Sequence, residues 1–150
     1  MDIHGEWRLK VIRDIVVSAI SGSWNEEAML AYCAQFKVAA APLTRFCSVA
    51  HFTNWGGFTA GAAAIGFENR DWAAAHGCAC VAWVVEDELM RKWADIYGRQ
   101  NEVVPETRVF ATLAEAAIWL ATKGFSVDAD ELIGLIGLPS PAADPSAAMP

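Results

Sequence analysis

Residues 78 to 85 read CACVAWVV, an uninterrupted apolar run with the length of one β-strand. A strand with one solvated face alternates apolar and polar residues, whereas a continuous apolar run is typical of a strand covered on both faces. Such a strand lies inside a sheet that is covered by helices. The run therefore predicts an α/β fold with this strand near its centre.

The flanking segments supply the other elements of this fold. Trp7, Leu9 and Val11 alternate with charged residues, and IVVSAISGS follows a short turn, which is typical of a hairpin. Apolar residues at helical spacing predict four helices. The first helix is expected to begin at Ser23, with Glu26, and to end before Pro42, and the second to begin at Thr59 and end at Gly77. The third is expected to begin at Asp87 and end at Gly98. The fourth is expected to begin at Thr112, with Glu115, and to end at Gly124. The predicted order is β-β-α-β-α-β-α-β-α, one α/β domain with a mixed sheet of about five strands and four helices.

The same periodicities predict which large side chains are buried. Leu89, Trp93 and Ile96 share one face of the third helix and are expected to face the core. Trp24 and Trp55 fall at predicted loop positions, where partly exposed aromatic rings would mark a contact surface. The other tryptophans expected in the core are Trp72, Trp83 and Trp119.

Charge and hydropathy limit the possible partners. The net charge is −7, the isoelectric point is about 4.8, and the eleven Lys and Arg are scattered, so no nucleic acid or anionic membrane is expected to bind. No window is long and apolar enough for a membrane span, and the N-terminal residues lack a signal-peptide core. A cytoplasmic protein with four reduced cysteines and no disulfide is expected.

The chain changes character after Phe125. We expect residues 1–125 to form the domain, residues 126–138 a short apolar segment able to form a helix, and residues 139–150 a disordered Pro/Ala tail. Either its own domain or a second copy must cover the apolar segment. Because the domain is expected to be complete by residue 125, a homodimer through residues 128–138 is the preferred alternative.

The stretch HFTNWGGFTAG, residues 51–61, predicts a turn from a strand into a helix with a recognition role. Two glycines let the chain bend, a Thr caps the helix, and the helix N-terminus offers N–H groups to an anion or a partner's carboxylate. The glycines follow no phosphate-binding pattern, and no nucleophile stands between them. The candidate binding loop is His51, Thr53, Asn54, Trp55, Gly56, Gly57 and Thr59, and no catalytic residue, metal ligand or cofactor is predicted.

A metal site at Cys78 and Cys80 is the alternative weighed for the cysteines. The two-residue period of a strand would place both thiols on one face, where a nearby His could join them. A tetrahedral site takes further ligands from a second pair, and the sequence has none at suitable spacing. Buried thiols that act as small apolar side chains are the favoured interpretation.

Four stretches carry a family resemblance: SGSWNEEA, VAHFTNW, WAAAHGCACVAWVV and VFATLAEAAIWL. In this order and spacing they resemble a STAS-type domain, and more closely the SpoIIAA-like (STAS/SEC14-like) family of small bacterial proteins, over residues 5 to 121. The resemblance implies a small α/β fold with four helices on a mixed sheet. It also implies a regulatory or binding role in place of catalysis.

The chain departs from the anti-sigma-factor antagonists of the STAS class at the candidate loop. In those proteins the corresponding stretch resembles Asp-Leu-Ser, followed after a few residues by Asp-Ser-Ser-Gly-Leu. A partner kinase phosphorylates a serine of this second motif. Here His51 stands in place of the first Asp, and Thr59 is the nearest hydroxyl. The resemblance therefore implies the position of the switch without its phosphoserine motif.

Two functions follow from these observations. The first is a non-enzymatic regulatory domain that binds a protein partner through the loop around Trp55 and the second helix. The second is a domain that binds a small molecule or a lipid, as the SEC14-like resemblance and the apolar surplus imply. A pocket lined by Trp and Phe would favour the second, and a flat exposed patch around residues 53–60 would favour the first.

Overall fold

The computed structural model describes residues 3–99 and 105–136, in five strands and five helices. The strands are β1 (Glu6–Ile12), β2 (Ile15–Trp24), β3 (Phe46–Phe58), β4 (Cys78–Val85) and β5 (Glu106–Phe110). The helices are α1 (Glu26–Ala40), α2 (Ala60–Ala75), α3 (Glu88–Arg99), α4 (Leu113–Thr122) and α5 (Ala129–Ile136). The predicted α/β fold is confirmed, and α5 lies in the apolar segment, residues 126–138, that was expected to be able to form a helix. No helix of the described ranges is both long and apolar enough to cross a membrane.

The five strands form one mixed sheet in the order β1-β2-β3-β4-β5. β1 and β2 are the antiparallel hairpin, whose turn places Arg13 at a positive φ of 51°. Each later pair of neighbours is parallel, as helical crossovers require. The apolar run of β4 lies between β3 and β5, and its side chains are buried on both faces of the sheet, as expected.

Helices cover both faces of the sheet and create two cores. The α1–α2 core lies under α1, α2 and α3 and is rich in aromatic rings. Trp24 is fully buried there, against the rings of Trp7, Tyr32 and Phe58, so its predicted exposure is wrong. The α4–α5 core lies on the opposite face and is mainly aliphatic.

The helix starts follow local capping chemistry. The predicted caps at Thr59, Asp87 and Thr112 are confirmed, since each side chain accepts a hydrogen bond from the backbone N–H three residues on. The capping box predicted at Ser23 is wrong, because Ser23 still belongs to β2. Asn25 caps α1 instead, through its side-chain oxygen.

The predicted burial of the α3 stripe is also wrong. Leu89, Trp93 and Ile96 are 68%, 51% and 55% exposed. The small side chain of Ala94 is the fully buried one, and Met90 packs beside it on the α1–α2 core. The apolar face of α3 therefore looks outward.

The two strand cysteines lie on opposite faces of the sheet, which corrects their predicted common face. Cys78 packs in the α1–α2 core and Cys80 in the α4–α5 core. The register shifts at this point, where Phe46 pairs with Cys78 and Cys47 with Cys80. All four cysteines are free and buried, and burial raises the pKa of Cys33 to about 11 and of Cys78 to about 12.

Helix α5 packs on the domain that precedes it. Leu132 and Ile136 are buried in the α4–α5 core, while Ile133 is half exposed. Arg13 of the hairpin turn donates hydrogen bonds to Glu131, at 2.9 and 3.0 Å, and to a nearby carbonyl. Much of the apolar surface expected to form a homodimer is thus covered within one chain. The predicted tail, residues 139–150, lies outside the described residues.

Candidate functional site

The predicted binding loop is not a loop: its residues up to Gly57 belong to strand β3, and Thr59 caps α2. β3 pairs with β4 only as far as Phe52, and then continues to Phe58 beside β2 alone. Two register irregularities allow this extension, with Asn54 at a φ of 48° and Gly57 at a φ of 96°. The polar and glycine residues that predicted a turn are therefore the residues of two bulges.

Trp55 is buried on this extension, so its predicted position at an exposed rim is wrong. Its side chain is 7% exposed. The ring lies 4.6 Å from that of Phe52 and 5.0 Å from that of Phe58, between centroids. Gly56 follows where a Cβ would overlap the side chain of Ser23 on β2. Trp55 and Gly56 therefore contribute to the packing of β3 against its neighbours and not to an exposed surface.

Three of the candidate residues line a cleft at the carboxyl end of β4, beside the part of β3 that extends past it. This cleft has a volume of about 370 Å³, and Thr53, Asn54 and Trp55 form its β3 side. Glu86 and Asp87 form much of the other side. Ligands of open α/β sheets bind beyond the carboxyl ends of strands, and the end of β4 meets this condition. Within the described ranges, no group of three or more His, Cys, Asp and Glu could hold a metal ion.

His51 of β3 contacts one of the residues that line this cleft. Its Nε2 atom is 3.1 Å from Oε1 of Glu86, the residue that follows β4. The cleft's other carboxylate, Asp87, accepts the N–H of Met90 and caps α3. Both acidic side chains of the cleft therefore have partners within the domain.

Thr59 lies at the start of α2, and its hydroxyl makes two hydrogen bonds. It accepts the N–H of Ala62 at 3.1 Å and donates to the carboxylate of Glu26 on α1. A Cβ on Gly61 would overlap that carboxylate, so glycine permits the close approach. The helix N-terminus that was expected to receive an external anion thus faces a carboxylate of the protein itself.

Replacement of this cap gives a first test of the local structure. Thr59→Ala removes both hydrogen bonds and is expected to lower the free energy of unfolding by about 1 kcal/mol. Urea denaturation followed by circular dichroism measures the change. Thr59→Ser keeps the hydroxyl and should remain near the wild type; an equal loss in both variants would show that the methyl group and not the cap stabilises this position.

A second site, which sequence reasoning missed, is a pocket between α1, α2 and the sheet. Its volume is about 110 Å³, and its walls are almost entirely apolar. Small residues of α2, including Ala63, Gly66 and Ala73, line it and leave space between the helix and the strands. The aromatic residues that line it are Tyr32, Phe36, Phe52, Phe58, Phe67 and Trp83.

A few polar side chains also line this pocket. Asn69 and Arg70, both on α2, are each 9% exposed. Oδ1 of Asn69 is buried and has no hydrogen-bond partner among the described residues. Burial lowers the pKa of Arg70, since the apolar surroundings disfavour its charged form. Ser48 adds a further buried polar side chain to the wall.

The strand order and the helices on both faces define a small α/β domain with one mixed five-stranded sheet. A similar solved structure is that of an uncharacterized protein of the DUF3478 family from Shewanella loihica PV-4, described as having a SpoIIAA-like fold. The TM-score is 0.63 at 14% sequence identity, over 80% of this chain and 98% of that chain. No family model and no curated protein matches the sequence. The present chain has a SpoIIAA-like fold, as its resemblance implied.

Proposed function

We propose that this domain binds a small, mainly apolar molecule in the pocket between α1, α2 and the sheet. The observation that carries the proposal is an aromatic-lined pocket with buried polar groups on one helix, the usual composition of a ligand site. An apolar cavity of roughly 150 Å³ is large enough to bind benzene in another protein. The pocket of about 110 Å³ is smaller than that cavity, so a short chain or at most a single ring is the upper limit for the buried part of the ligand.

The role that we propose for this binding is regulatory and non-enzymatic, in the cytoplasm. The hydroxyl nearest to the STAS switch position is that of Thr59, which already bonds to Glu26. Binding of the small molecule in the pocket would then regulate the domain in place of phosphorylation. Four free, buried thiols suit the reducing conditions of that compartment.

A pocket-filling variant tests the binding proposal. Benzyl alcohol, a neutral one-ring probe, should raise the melting temperature of the wild type because it binds only the folded state. Ala63→Leu should abolish the increase, since Ala63 lines the pocket. Ala64→Leu is the matched control, because Ala64 is the exposed neighbour on the same helix.

Calorimetric titration of the three proteins completes this test. Binding by the wild type and by Ala64→Leu, with none by Ala63→Leu, supports the pocket. No binding by the wild type, or equal binding by all three, contradicts it.

A second candidate function, protein recognition, is favoured by the outward face of α3. Leu89, Trp93 and Ile96 follow one another at intervals of four and three residues and are all exposed. Exposed apolar residues in one patch mark interaction surfaces, and Trp is enriched among the residues that dominate binding energy. This face, and not the stretch around Trp55, is the surface that we propose for a protein partner.

If the partner of the α3 face is a second copy of this chain, the purified protein is sufficient to test the proposal. Sedimentation velocity over a range of concentrations should show a dimer for the wild type and a monomer for Trp93→Glu. Ile118→Glu is the control, because Ile118 is an exposed apolar residue on α4. A wild type that stays monomeric excludes a second copy as the partner.

A further inference from the structure

An unsatisfied hydrogen-bond acceptor lies in the wall of the pocket between α1, α2 and the sheet. Asn69 of α2 lines this pocket and is 9% exposed. Its Oδ1 atom is buried and has no hydrogen-bond partner among the described residues. Buried polar atoms of folded proteins are nearly always hydrogen-bonded, because an unpaired one has lost its contact with water without a replacement. The acceptor of Asn69 therefore indicates a donor that a bound molecule supplies.

Two other polar groups of the pocket wall bond to different parts of the protein. The hydroxyl of Tyr32 lies 2.7 Å from that of Ser18 on β2, and burial raises the pKa of Tyr32, so this pair keeps its protons. The thiol of Cys78 donates to the backbone carbonyl of Cys80 at 3.5 Å. Neither group bonds to Oδ1 of Asn69. The wall thus holds an acceptor that these two groups leave without a donor.

The donor that reaches this acceptor is expected to be an uncharged hydroxyl. An ammonium group that enters an apolar pocket loses its hydration, and only an opposite charge nearby offsets that cost. No Asp or Glu is among the described residues that line the pocket. A neutral hydroxyl loses much less on burial, and its one O–H is sufficient for one acceptor. The volume of about 110 Å³ also favours a hydroxyl over a larger donor such as an amide.

We propose, on the basis of the binding function above, that the natural ligand is a small neutral alcohol or phenol whose hydroxyl donates to Oδ1 of Asn69. The rest of the ligand is apolar and packs against the aromatic side chains of the wall, among them Phe36 and Phe52. Apolar contacts have no preferred direction, whereas a hydrogen bond fixes one end of the ligand. Asn69 therefore orients the molecule and selects hydroxylated molecules over others of the same size.

Two probes of nearly equal size test the requirement for a hydroxyl. Phenol and fluorobenzene share one ring, but only phenol donates a hydrogen bond, and it keeps its proton at neutral pH. Calorimetric titration of the wild type should show phenol binding about fivefold more tightly than fluorobenzene, the usual net effect of one neutral hydrogen bond. Without an acceptor in reach, burial of the hydroxyl would be unfavourable and fluorobenzene would bind more tightly.

Asn69→Leu assigns the preference for phenol to a residue. Leucine has nearly the same shape as asparagine but no acceptor, so this variant should bind fluorobenzene more tightly than phenol. Glu68→Leu is the matched control, because Glu68 precedes Asn69 on α2 and is exposed. It introduces the same side chain outside the pocket and should keep the wild-type preference for phenol.

The outcomes separate this inference from the binding function. If neither probe binds the wild type, the pocket function itself fails. If fluorobenzene binds the wild type as tightly as phenol, or more tightly, the pocket function stands and the hydroxyl inference is wrong. A preference for phenol that survives in folded Asn69→Leu would also overturn it. If Asn69→Leu does not fold, the comparison of the two probes in the wild type decides the matter.

Discussion

Trp55→Ala should lower the free energy of unfolding by about 3–5 kcal/mol, the usual cost of truncating a buried Trp. The ring is 7% exposed and is packed between Phe52 and Phe58, so its removal leaves a cavity beside two aromatic side chains. Its Nε1 atom has no hydrogen-bond partner in the described residues, so the expected loss is one of packing. Urea denaturation monitored by circular dichroism measures the change.

Trp93→Ala is the matched control for this prediction. Trp93 has a side chain of the same size but is 51% exposed on α3, so its truncation should cost less than about 1 kcal/mol. A loss of similar size in both variants would contradict the burial of Trp55. A nearly unchanged stability of Trp55→Ala would restore the exposed recognition loop that the sequence predicts.

The order of strands and helices could be predicted because local signals determine it. The apolar run of β4 requires cover on both faces, and alternation in β1 predicts the hairpin. The caps at Thr59, Asp87 and Thr112 could be predicted from the sequence because a cap involves residues only three positions apart. These signals do not depend on how the elements pack.

The candidate loop could not be predicted correctly because its residues suit both a turn and a bulge. Asn54 and Gly57 have positive φ angles, which favour Asn and Gly in either structure. Only the pairing of β3 with β2 as far as Phe58 shows that the chain remains extended. That pairing buries Trp55, and a long-range contact of this kind has no local sequence signal.

Long-range packing also decides which residues of α3 are buried and where the pocket forms. Periodicity shows that Leu89, Trp93 and Ile96 share a face, but not that Ala94 is the residue that meets the core. The pocket is a space that small residues of α2 leave open, and the sequence shows the residues without the distance between helix and sheet. Arg70 therefore looks like an ordinary surface residue until its burial is known.

Gly77→Ala is expected to lower the free energy of unfolding by about 3 kcal/mol, because two separate costs add at this position. Gly77 joins α2 to β4 at a φ of 104°, a conformation that residues with a Cβ rarely adopt. The added Cβ would also overlap the carbonyl oxygen of Thr44, a backbone atom that cannot rotate away. Thermal unfolding followed by circular dichroism measures the loss.

Gly134→Ala is the opposite case in the same protein and serves as the control. Gly134 lies within α5, and a Cβ there would meet no atom within 4 Å. Alanine in an exposed helix is more stable than glycine by about 0.5–1 kcal/mol, so this variant should unfold at a higher temperature than the wild type. Opposite shifts for the two variants require both that the junction at Gly77 has the described geometry and that α5 is a helix within the folded chain. Stabilisation by Gly77→Ala would show that α2 and β4 are joined differently, and destabilisation by Gly134→Ala would show that α5 packs where a methyl group does not fit.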